Sequence, residues 1–342
     1  MKVMTLLARR GVCLLFAALL SASALPAAAT GDAFLGRWAL TLPDDRAGWL
    51  EIKRENGWLD GSILWGGGSV LPVGSVVIAN DELTVTRLRE VPRRDAAGTI
   101  VRRQQFTDVI TARVRADTLQ LEVTTARPDG SGFDRHAFTG RRIPPLPPRP
   151  NLAQVKFAAP IELLNDRDLT GWRLLEPQAP NGWAVEHGVL VNRPVQVEGQ
   201  PSKRYGNLRT DREFEDFNLQ LEVKVPERSN SGVYLRGLYE VQVFDSHGKP
   251  LDTHNMGAIY SRIAPTVAAE KPAGEWQQLD MTLVDRHVTV RLNGTTIIDN
   301  QPLAGCTGGA LWSDESRPGP VYLQGDHGPV EYRHIVIRPV LK

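Results

Sequence analysis

Short runs of alternating apolar and polar residues recur along the chain from about residue 36 onward. Pairs such as Asp-Asp, Asn-Gly and Asn-Asp separate these runs. Runs of this length, bounded by such pairs, are typical of antiparallel strands joined by tight turns. The clearest hairpin lies at residues 288–297, where Asn293 and Gly294 supply the positive φ angles of a type I′ turn. The pattern predicts an all-β protein.

A proline-rich stretch at residues 143–150 separates the strand-like runs into two groups. Each proline lacks a backbone donor and restricts the residue before it, so this stretch fits neither a helix interior nor a central strand. We interpret residues 144–156 as a semi-rigid polyproline II spacer. The spacer would join a first domain at residues 31–143 to a second domain at residues 157–342.

The first domain is predicted to be a small β-barrel or a meander, because its runs are short and evenly spaced. Its opening, Gly36-Arg37-Trp38, looks like the G-x-W sequence of lipocalin-type barrels, in which the tryptophan closes one end. An ordinary core tryptophan is the alternative. Residues 138–142 would return to the same end. We predict no catalytic group in this domain.

The second domain contains many further strand-like runs and no helical periodicity of useful length. Antiparallel strands in such number predict two sheets packed face to face.

The N-terminus has the pattern of a secretory signal peptide. Lys2, Arg9 and Arg10 precede an apolar run at residues 11–25, and small residues follow at 26–29. The apolar run is shorter than the roughly 20 residues of a membrane-spanning helix. We therefore expect removal of residues 1–29 and a periplasmic or secreted protein that is not an integral membrane protein.

Composition excludes some functions. The chain has 40 Lys and Arg against 39 Asp and Glu, and loss of the three basic residues of the signal peptide leaves 37 against 39. A protein without a basic footprint is not expected to bind nucleic acid. Of the 2 cysteines, only Cys306 remains after residue 29, so the exported chain has no internal disulfide.

Period-two alternation sorts the side chains of residues 239–244 by face. Glu240 and Gln242 share one face, and Val241 and Val243 share the other. Because the valine face must point into the core, the two polar side chains are predicted to point away from it.

The preceding run extends this polar face, because Tyr234 and Arg236 also alternate with apolar residues, and Tyr322 and Gln324 repeat the pattern late in the chain. Carboxylates, amides and guanidinium groups hydrogen-bond sugar hydroxyls, and aromatic rings pack on sugar C–H faces. An outward-facing, merely solvated sheet face is the alternative. The presence of Tyr, Arg and Gln in place of Lys and Thr indicates a carbohydrate site.

Six motifs follow one another in the second domain: NSGVYLRG (230–237), YEVQVFDSHG (239–248), GAIY (257–260), AGEWQ (273–277), NG (293–294) and LQGDHG (323–328). In this order they resemble the 3-keto-disaccharide hydrolase domain family. The resemblance spans about residues 157–340, and it is absent from the first domain. Gly325 departs from the family pattern because it is inserted into L-Q-D-H-G, where it would bulge the chain and re-aim His327.

The resemblance implies a concanavalin A-like sandwich, or jelly roll, that binds a small carbohydrate on one sheet. It also implies hydrolysis of glycosides oxidised to a ketone at C3. The ketone acidifies the C2 proton, so that a base removes it, the C1 oxygen is expelled and water adds to the enone. Such chemistry needs an acid and a base, and hydrogen-bonding groups around the enolate oxygen.

Glu240 and His327 are the candidate catalytic residues, and either could be the base. Arg236, with Gln242 or Tyr260, would stabilise the enolate oxygen.

Two further roles complete the hypothesis. Gln324 and Tyr234 would orient the sugar. Asp245 could hold a divalent cation, the one cofactor considered, or could be a turn residue bonded to its own backbone.

A non-catalytic, lectin-like protein of the cell envelope is the competing interpretation, because this fold hosts both binding and catalytic proteins. The presence of both a carboxylate and an imidazole near one polar face favours the enzyme.

Overall fold

The computed structural model describes residues 31–197 and 203–342, so the predicted signal peptide lies outside the described residues. Two short 3-10 helices, Asp32–Phe34 and Leu152–Gln154, accompany 22 strands in this part of the chain. The prediction of an all-β protein is confirmed. The described residues include no helix that is long and apolar enough to cross a membrane.

The first nine strands form one antiparallel sheet in the order β4-β3-β2-β1-β9-β8-β7-β6-β5. This is a meander in which the last strand returns to pair with the first, and β3 also approaches β5. We call this unit the barrel. Its strands are β1 (Gly36–Thr41), β2 (Ala47–Glu55), β3 (Trp58–Trp65), β4 (Leu71–Pro72), β5 (Ser75–Ala79), β6 (Glu82–Arg94), β7 (Ile100–Arg115), β8 (Thr118–Ala126) and β9 (Phe133–Arg142).

Trp38 belongs to the apolar core of the barrel. The ring is fully buried, and its Nε1 donates a hydrogen bond to the Phe34 carbonyl over 2.9 Å. The Arg142 guanidinium lies 4.2 Å from the ring centroid and also donates to the Leu35 carbonyl. The cation–π contact and these hydrogen bonds fasten the end of β9 to the start of β1.

The remaining strands form a two-sheet sandwich. One sheet has eight strands in the order β12-β13-β22-β15-β18-β19-β20 with β10 beside β22, and the other has the order β11-β14-β21-β16-β17. The strands are β10 (Ile161–Glu162), β11 (Trp172–Leu174), β12 (Trp183–Glu186), β13 (Val189–Asn192), β14 (Leu208–Thr210), β15 (Phe217–Lys224), β16 (Asn230–Leu235), β17 (Tyr239–Phe244), β18 (Trp276–Val284), β19 (His287–Leu292), β20 (Thr295–Pro302), β21 (Tyr322–Leu323) and β22 (Val330–Pro339).

Apolar residues of the five-stranded sheet face the core of the sandwich. Val233, Val241 and Leu323 are fully buried and belong to one apolar cluster with residues of the eight-stranded sheet, such as Leu219 and Leu279. Because side chains alternate along a strand, the residues between them are directed to the opposite face. That opposite face carries the candidate functional residues.

The proline-rich segment lies against the sandwich. Arg286 Nη2 donates to the carbonyl of Pro144 over 2.9 Å and to that of Pro145 over 2.5 Å. Asn300 Nδ2 donates to the Pro150 carbonyl over 2.9 Å. Proline carbonyls accept hydrogen bonds although proline has no N–H to donate, so the sequence that prevents strand formation still allows anchoring.

The barrel and the sandwich share a core. Ala47, Trp49 and Leu64 of the barrel are buried in the apolar cluster of the sandwich. The Arg262 guanidinium lies 4.4 Å from the Trp49 ring centroid. Gly308 packs so closely against the backbone of Gly68 that a Cβ would not fit.

We expect Trp49→Ala to lower the free energy of unfolding by about 3–5 kcal/mol, because it removes a buried aromatic side chain and leaves a cavity. Trp58→Ala is the matched control, since Trp58 is 78% exposed in the same barrel, and it should change stability by less than about 0.5 kcal/mol. Urea unfolding of the full chain measures both. Equal effects would contradict the shared core.

Candidate active site

A cleft of about 620 Å³ lies over the outer face of the five-stranded sheet. Residues 308–312 of the sandwich and residues 44–47 and 66–68 of the barrel form its sides. Its volume is within the range of small-molecule sites. The polar and aromatic side chains that the sandwich contributes are Glu176, Arg204, Asn207, Arg209, Asn230, Tyr234, Glu240, Tyr260, Trp312, Tyr322, Gln324, Asp326 and His327.

Two stacked tyrosines form the floor of the cleft. The rings of Tyr234 and Tyr322, from neighbouring strands, have centroids 3.8 Å apart and planes 12° apart. The Tyr234 hydroxyl lies 2.7 Å from the Gly308 carbonyl oxygen, and the Tyr322 hydroxyl lies 2.7 Å from that of Gly309. The stack therefore holds the loop that forms one side of the cleft.

Glu240 lies beside this floor and is only 3% exposed. Its Oε2 is 2.8 Å from the Tyr234 hydroxyl, and its carboxyl group rests on Gly232 of the paired strand, where a Cβ would not fit. Burial disfavours the charged form and raises the pKa of Glu240 to about 8, although the Tyr234 hydrogen bond opposes this shift. Glu240 is therefore mainly protonated at neutral pH.

The hydrogen-bond geometry agrees with a protonated Glu240. The Tyr234 hydroxyl has one proton but contacts two acceptors, the Glu240 carboxyl and the Gly308 carbonyl. A protonated Glu240 donates to the Tyr234 oxygen, so Tyr234 can donate to Gly308 and every contact is satisfied. Glu240 can then act as a proton donor inside the cleft.

His327 and Asp326 form a pair at another side of the cleft. His327 Nδ1 is 2.6 Å from Asp326 Oδ1, and Arg204 Nε donates to Asp326 Oδ2 over 3.0 Å. Burial acts to raise the pKa of Asp326, but the bonds from His327 and Arg204 outweigh it, so the pKa is lowered. The ionised Asp326 orients the His327 ring and leaves Nε2 as the nitrogen for proton transfer.

The turn that carries His327 is held by two asparagines. Asn192 Nδ2 donates to the carbonyls of Gly325 and Gly328, each over 3.0 Å, and Asn207 Oδ1 accepts from the Gly325 N–H over 2.8 Å. Gly325 packs against the Gly206 carbonyl oxygen and the Trp183 indole, where a Cβ would not fit. The inserted glycine thus fills a tightly packed position.

Gln324 and Tyr260, both predicted from sequence, line the same cleft. Gln324 Oε1 is buried and has no hydrogen-bond partner among the described residues, and the same holds for Asn230 Oδ1. A buried acceptor without a partner is costly, so a ligand hydroxyl at either oxygen would restore the missing bond. Tyr260 donates its N–H to the Glu240 carbonyl over 3.0 Å.

Arg236 is not in the cleft, which corrects the sequence prediction. β16 ends at Leu235, and the φ angles of Arg236 (57°) and Gly237 (66°) turn the chain there. Period-two alternation therefore stops before Arg236. Its guanidinium is buried and donates to the carbonyls of Glu315 and Arg317, so it supports residues 315–317 instead of a substrate.

Gln242 also lies outside the cleft lining. Its Oε1 accepts from the Val243 N–H over 3.1 Å, and its backbone pairs with Gly257 and Ala258. Asp245 follows β17, and its Oδ2 accepts the Arg228 N–H over 2.9 Å. Within the described chain, no group of three or more His, Cys, Asp or Glu side chains could hold a metal ion.

Several residues of the cleft were not predicted from sequence. Asp326, Arg209 and Trp312 come from turns or short strands without clear alternation, and Arg46 comes from the barrel, for which no functional residue was predicted. The neighbouring His327 is the one available signal for Asp326, because a carboxylate next to an imidazole commonly orients it.

Comparisons with known proteins concern the sandwich. Residues 159–338 match the family model of the 3-keto-alpha-glucoside-1,2-lyase-like domain. A search of curated proteins gave no match. The matched segment contains the five-stranded sheet and most of the cleft, whereas the barrel lies outside it.

Among solved structures, the chain is similar to a candidate glycosyl hydrolase from Parabacteroides distasonis ATCC 8503, with 27% identity, a TM-score of 0.44, and coverage of 58% of this chain and 93% of that chain. A second candidate glycosyl hydrolase from this organism has 23% identity and a TM-score of 0.40, covering 53% and 100%. A carbohydrate-binding module from Bacillus subtilis has 12% identity and a TM-score of 0.31, covering 48% and 93%. Likenesses this distant do not assign an activity.

The sandwich is a domain of a carbohydrate-acting family. The chain belongs to the 3-keto-alpha-glucoside-1,2-lyase-like family, because the family model matches more than half of its length.

The raised pKa of Glu240 predicts that the free energy of unfolding of the protein depends on pH. Between the ordinary value of 4.5 and about 8, the carboxyl is neutral in the folded protein and ionised in the unfolded chain. Unfolding then releases a proton, so stability falls as pH rises, by up to about 1.4 kcal/mol per pH unit.

We expect Glu240→Gln to remove this loss, so that its stability relative to the wild type increases from pH 5 to pH 8 in urea unfolding. The exposed Glu227→Gln is the control and should show no such increase. A difference independent of pH would mean that the folded protein keeps Glu240 ionised.

Proposed function

We propose that this protein is an exported enzyme that hydrolyses 3-keto-glycosides, including 3-keto-disaccharides, by elimination followed by hydration. The observation that carries the proposal is the presence, in one cleft of the family domain, of a carboxylic acid with a pKa of about 8 and an aspartate-oriented histidine. Desolvation keeps Glu240 protonated, and the Asp326 hydrogen bond orients His327, so one cleft holds a candidate acid and a candidate base.

In the elimination step, His327 Nε2 removes the C2 proton, which the C3 ketone has made acidic. The C–H electrons move into the C2–C3 bond as the enolate forms, and then into a C1–C2 double bond as the C1–O bond breaks. Glu240 gives its proton to the departing oxygen. The products are a 1,2-unsaturated 3-keto sugar and the free alcohol of the leaving group.

Hydration completes the cycle. Ionised Glu240 takes a proton from water as the oxygen adds to C1, and His327 returns its proton to C2. Both residues regain their starting states, and the net reaction consumes one water molecule for each glycosidic bond. No redox change occurs, because the ketone is present in the substrate and in the product.

The remaining residues of the cleft would bind the sugar and the enolate. Gln324 and Asn230 offer their free oxygens to sugar hydroxyls. Tyr234 positions Glu240 through its hydroxyl. Of the three groups predicted from sequence for the enolate oxygen, Tyr260 is the one that lines the cleft, so its hydroxyl would donate to that oxygen.

We also propose a periplasmic or secreted location. The basic start, the apolar run at residues 11–25 and the small residues before position 30 support it.

The activity test incubates the protein with 3-keto-trehalose or a 3-keto-glucoside and measures the release of 3-keto-glucose. We expect Glu240→Gln and His327→Ala each to lower turnover about a hundredfold or more, because each removes one proton transfer. Glu227→Gln and His334→Ala, both at exposed positions, are the matched controls. Binding without release by the wild type would identify a non-catalytic carbohydrate-binding protein instead.

The pH dependence of kcat distinguishes the roles. If Glu240 is the acid, kcat should fall as pH rises through about 8, because its proton is lost there. A rate that rises through the same range would assign Glu240 as the base and His327 as the acid.

A further inference from the structure

The barrel contributes one side of the cleft, although the family match does not include it. Two of its segments are involved: the turn at residues 44–47 and the glycine loop at residues 66–68. Both face the sandwich loop at residues 308–312, so the cleft lies along the line where the barrel meets the sandwich. We call this line the seam.

The glycine loop is fastened to the sandwich at several points. The Gly309 N–H donates to the Gly66 carbonyl over 3.3 Å. Beyond the loop, the Val70 N–H donates to Ser261 Oγ over 2.9 Å, and Ser69 Oγ lies 3.0 Å from His254 Nε2. The loop is therefore a preformed side of the cleft, which reduces the entropy that a ligand must overcome.

Arg46 lies beside this loop. Its Nε donates to Asp44 Oδ2 over 2.6 Å, and its guanidinium contacts Gly66. Arg46 still has guanidinium N–H groups that the Asp44 bond does not use. A held guanidinium with free donors suits the hydroxyl or ring oxygens of a sugar.

A second cleft of about 540 Å³ continues along the seam. It shares Arg46, Ala47 and Trp312 with the first cleft, and it extends past Arg141 and Asp314. Trp312 Nε1 is buried and has no hydrogen-bond partner in the described chain. The two clefts therefore form one groove, and Trp312 lines both parts of it.

We propose that the barrel forms the leaving-group subsite of the enzyme, with Arg46 and Trp312 as the residues that select a saccharide leaving group. The inference rests on the proposed function for the position of the 3-keto sugar, which it places at Glu240 and His327. The leaving group would extend into the seam, where the second cleft adds about 540 Å³, so the enzyme would prefer an oligosaccharide over a glycoside with a small aglycone.

The experiment compares two substrates with the full chain: methyl 3-keto-α-glucoside and a 3-keto derivative of maltotriose oxidised on its non-reducing glucose. We expect the wild type to prefer the trisaccharide. Arg46→Ala should lower the ratio of the two kcat/KM values by about tenfold or more, the effect of losing a hydrogen bond from a charged donor. Trp312→Leu should lower the ratio as well.

Arg113→Ala is the matched control, because Arg113 is also an exposed barrel arginine that donates to a carboxylate, that of Glu82, and it is remote from the cleft. Its ratio should equal that of the wild type. If the wild type shows no preference for the trisaccharide, or if Arg46→Ala leaves the ratio unchanged, the subsite is refuted while the proposed activity stands.

A binding measurement separates this inference from the activity. Isothermal titration with unoxidised maltotriose and methyl α-glucoside requires no catalysis. We expect maltotriose to bind at least about tenfold more tightly, and Arg46→Ala to remove that advantage. Equal affinities would overturn the subsite, whether or not the 3-keto substrates are cleaved. Failure to cleave either 3-keto substrate would reject only the proposed reaction.

Discussion

The burial of the Glu240 carboxyl beside the Tyr234 hydroxyl is the interaction on which the rest of the site depends. Burial keeps the carboxyl protonated near neutral pH, and the single Tyr234 proton is then free for the Gly308 carbonyl. That bond positions the loop against which the barrel packs. A proton-transfer group, the floor of the cleft and the contact between barrel and sandwich are therefore linked through one hydroxyl group. Low exposure to water strengthens each of these hydrogen bonds.

The two carboxyl groups of the site, those of Glu240 and Asp326, owe their protonation states to opposite surroundings. Glu240 has no cation among the causes of its pKa shift, so desolvation dominates. Asp326 is also partly buried, but Arg204 and His327 stabilise its charge. The sheet thus supplies a neutral acid from a strand and an ionised carboxylate from a turn. Rigid strands hold the first, and asparagine side chains hold the second, which is the preorganisation that proton transfer requires.

Much of this arrangement could be predicted from sequence where the chain is regular. Alternation in β17 correctly directed Glu240 away from the core, because period two is a geometric property of strands. The same rule failed at Arg236, where positive φ angles had already ended the strand. Gln242 follows the alternation, but it does not reach the cleft. Alternation along a strand gives the face on which a side chain lies, and it does not give which residues pack against that face. Arg46 joins the site only through contact between the barrel and the sandwich, and no local pattern encodes such a contact.

The anchored proline segment has a consequence for how the two halves of the molecule meet. Arg286 and Asn300 fasten the proline segment to the sandwich, so the barrel is held close to the seam. Its effective concentration there is higher than the millimolar value that a short flexible linker would give. A modest interface is then sufficient to keep the groove assembled. The barrel and the sandwich, produced as separate chains, would have to find each other at ordinary protein concentrations and would lose that advantage. Covalent continuity thus acts together with the shared core to maintain the composite groove.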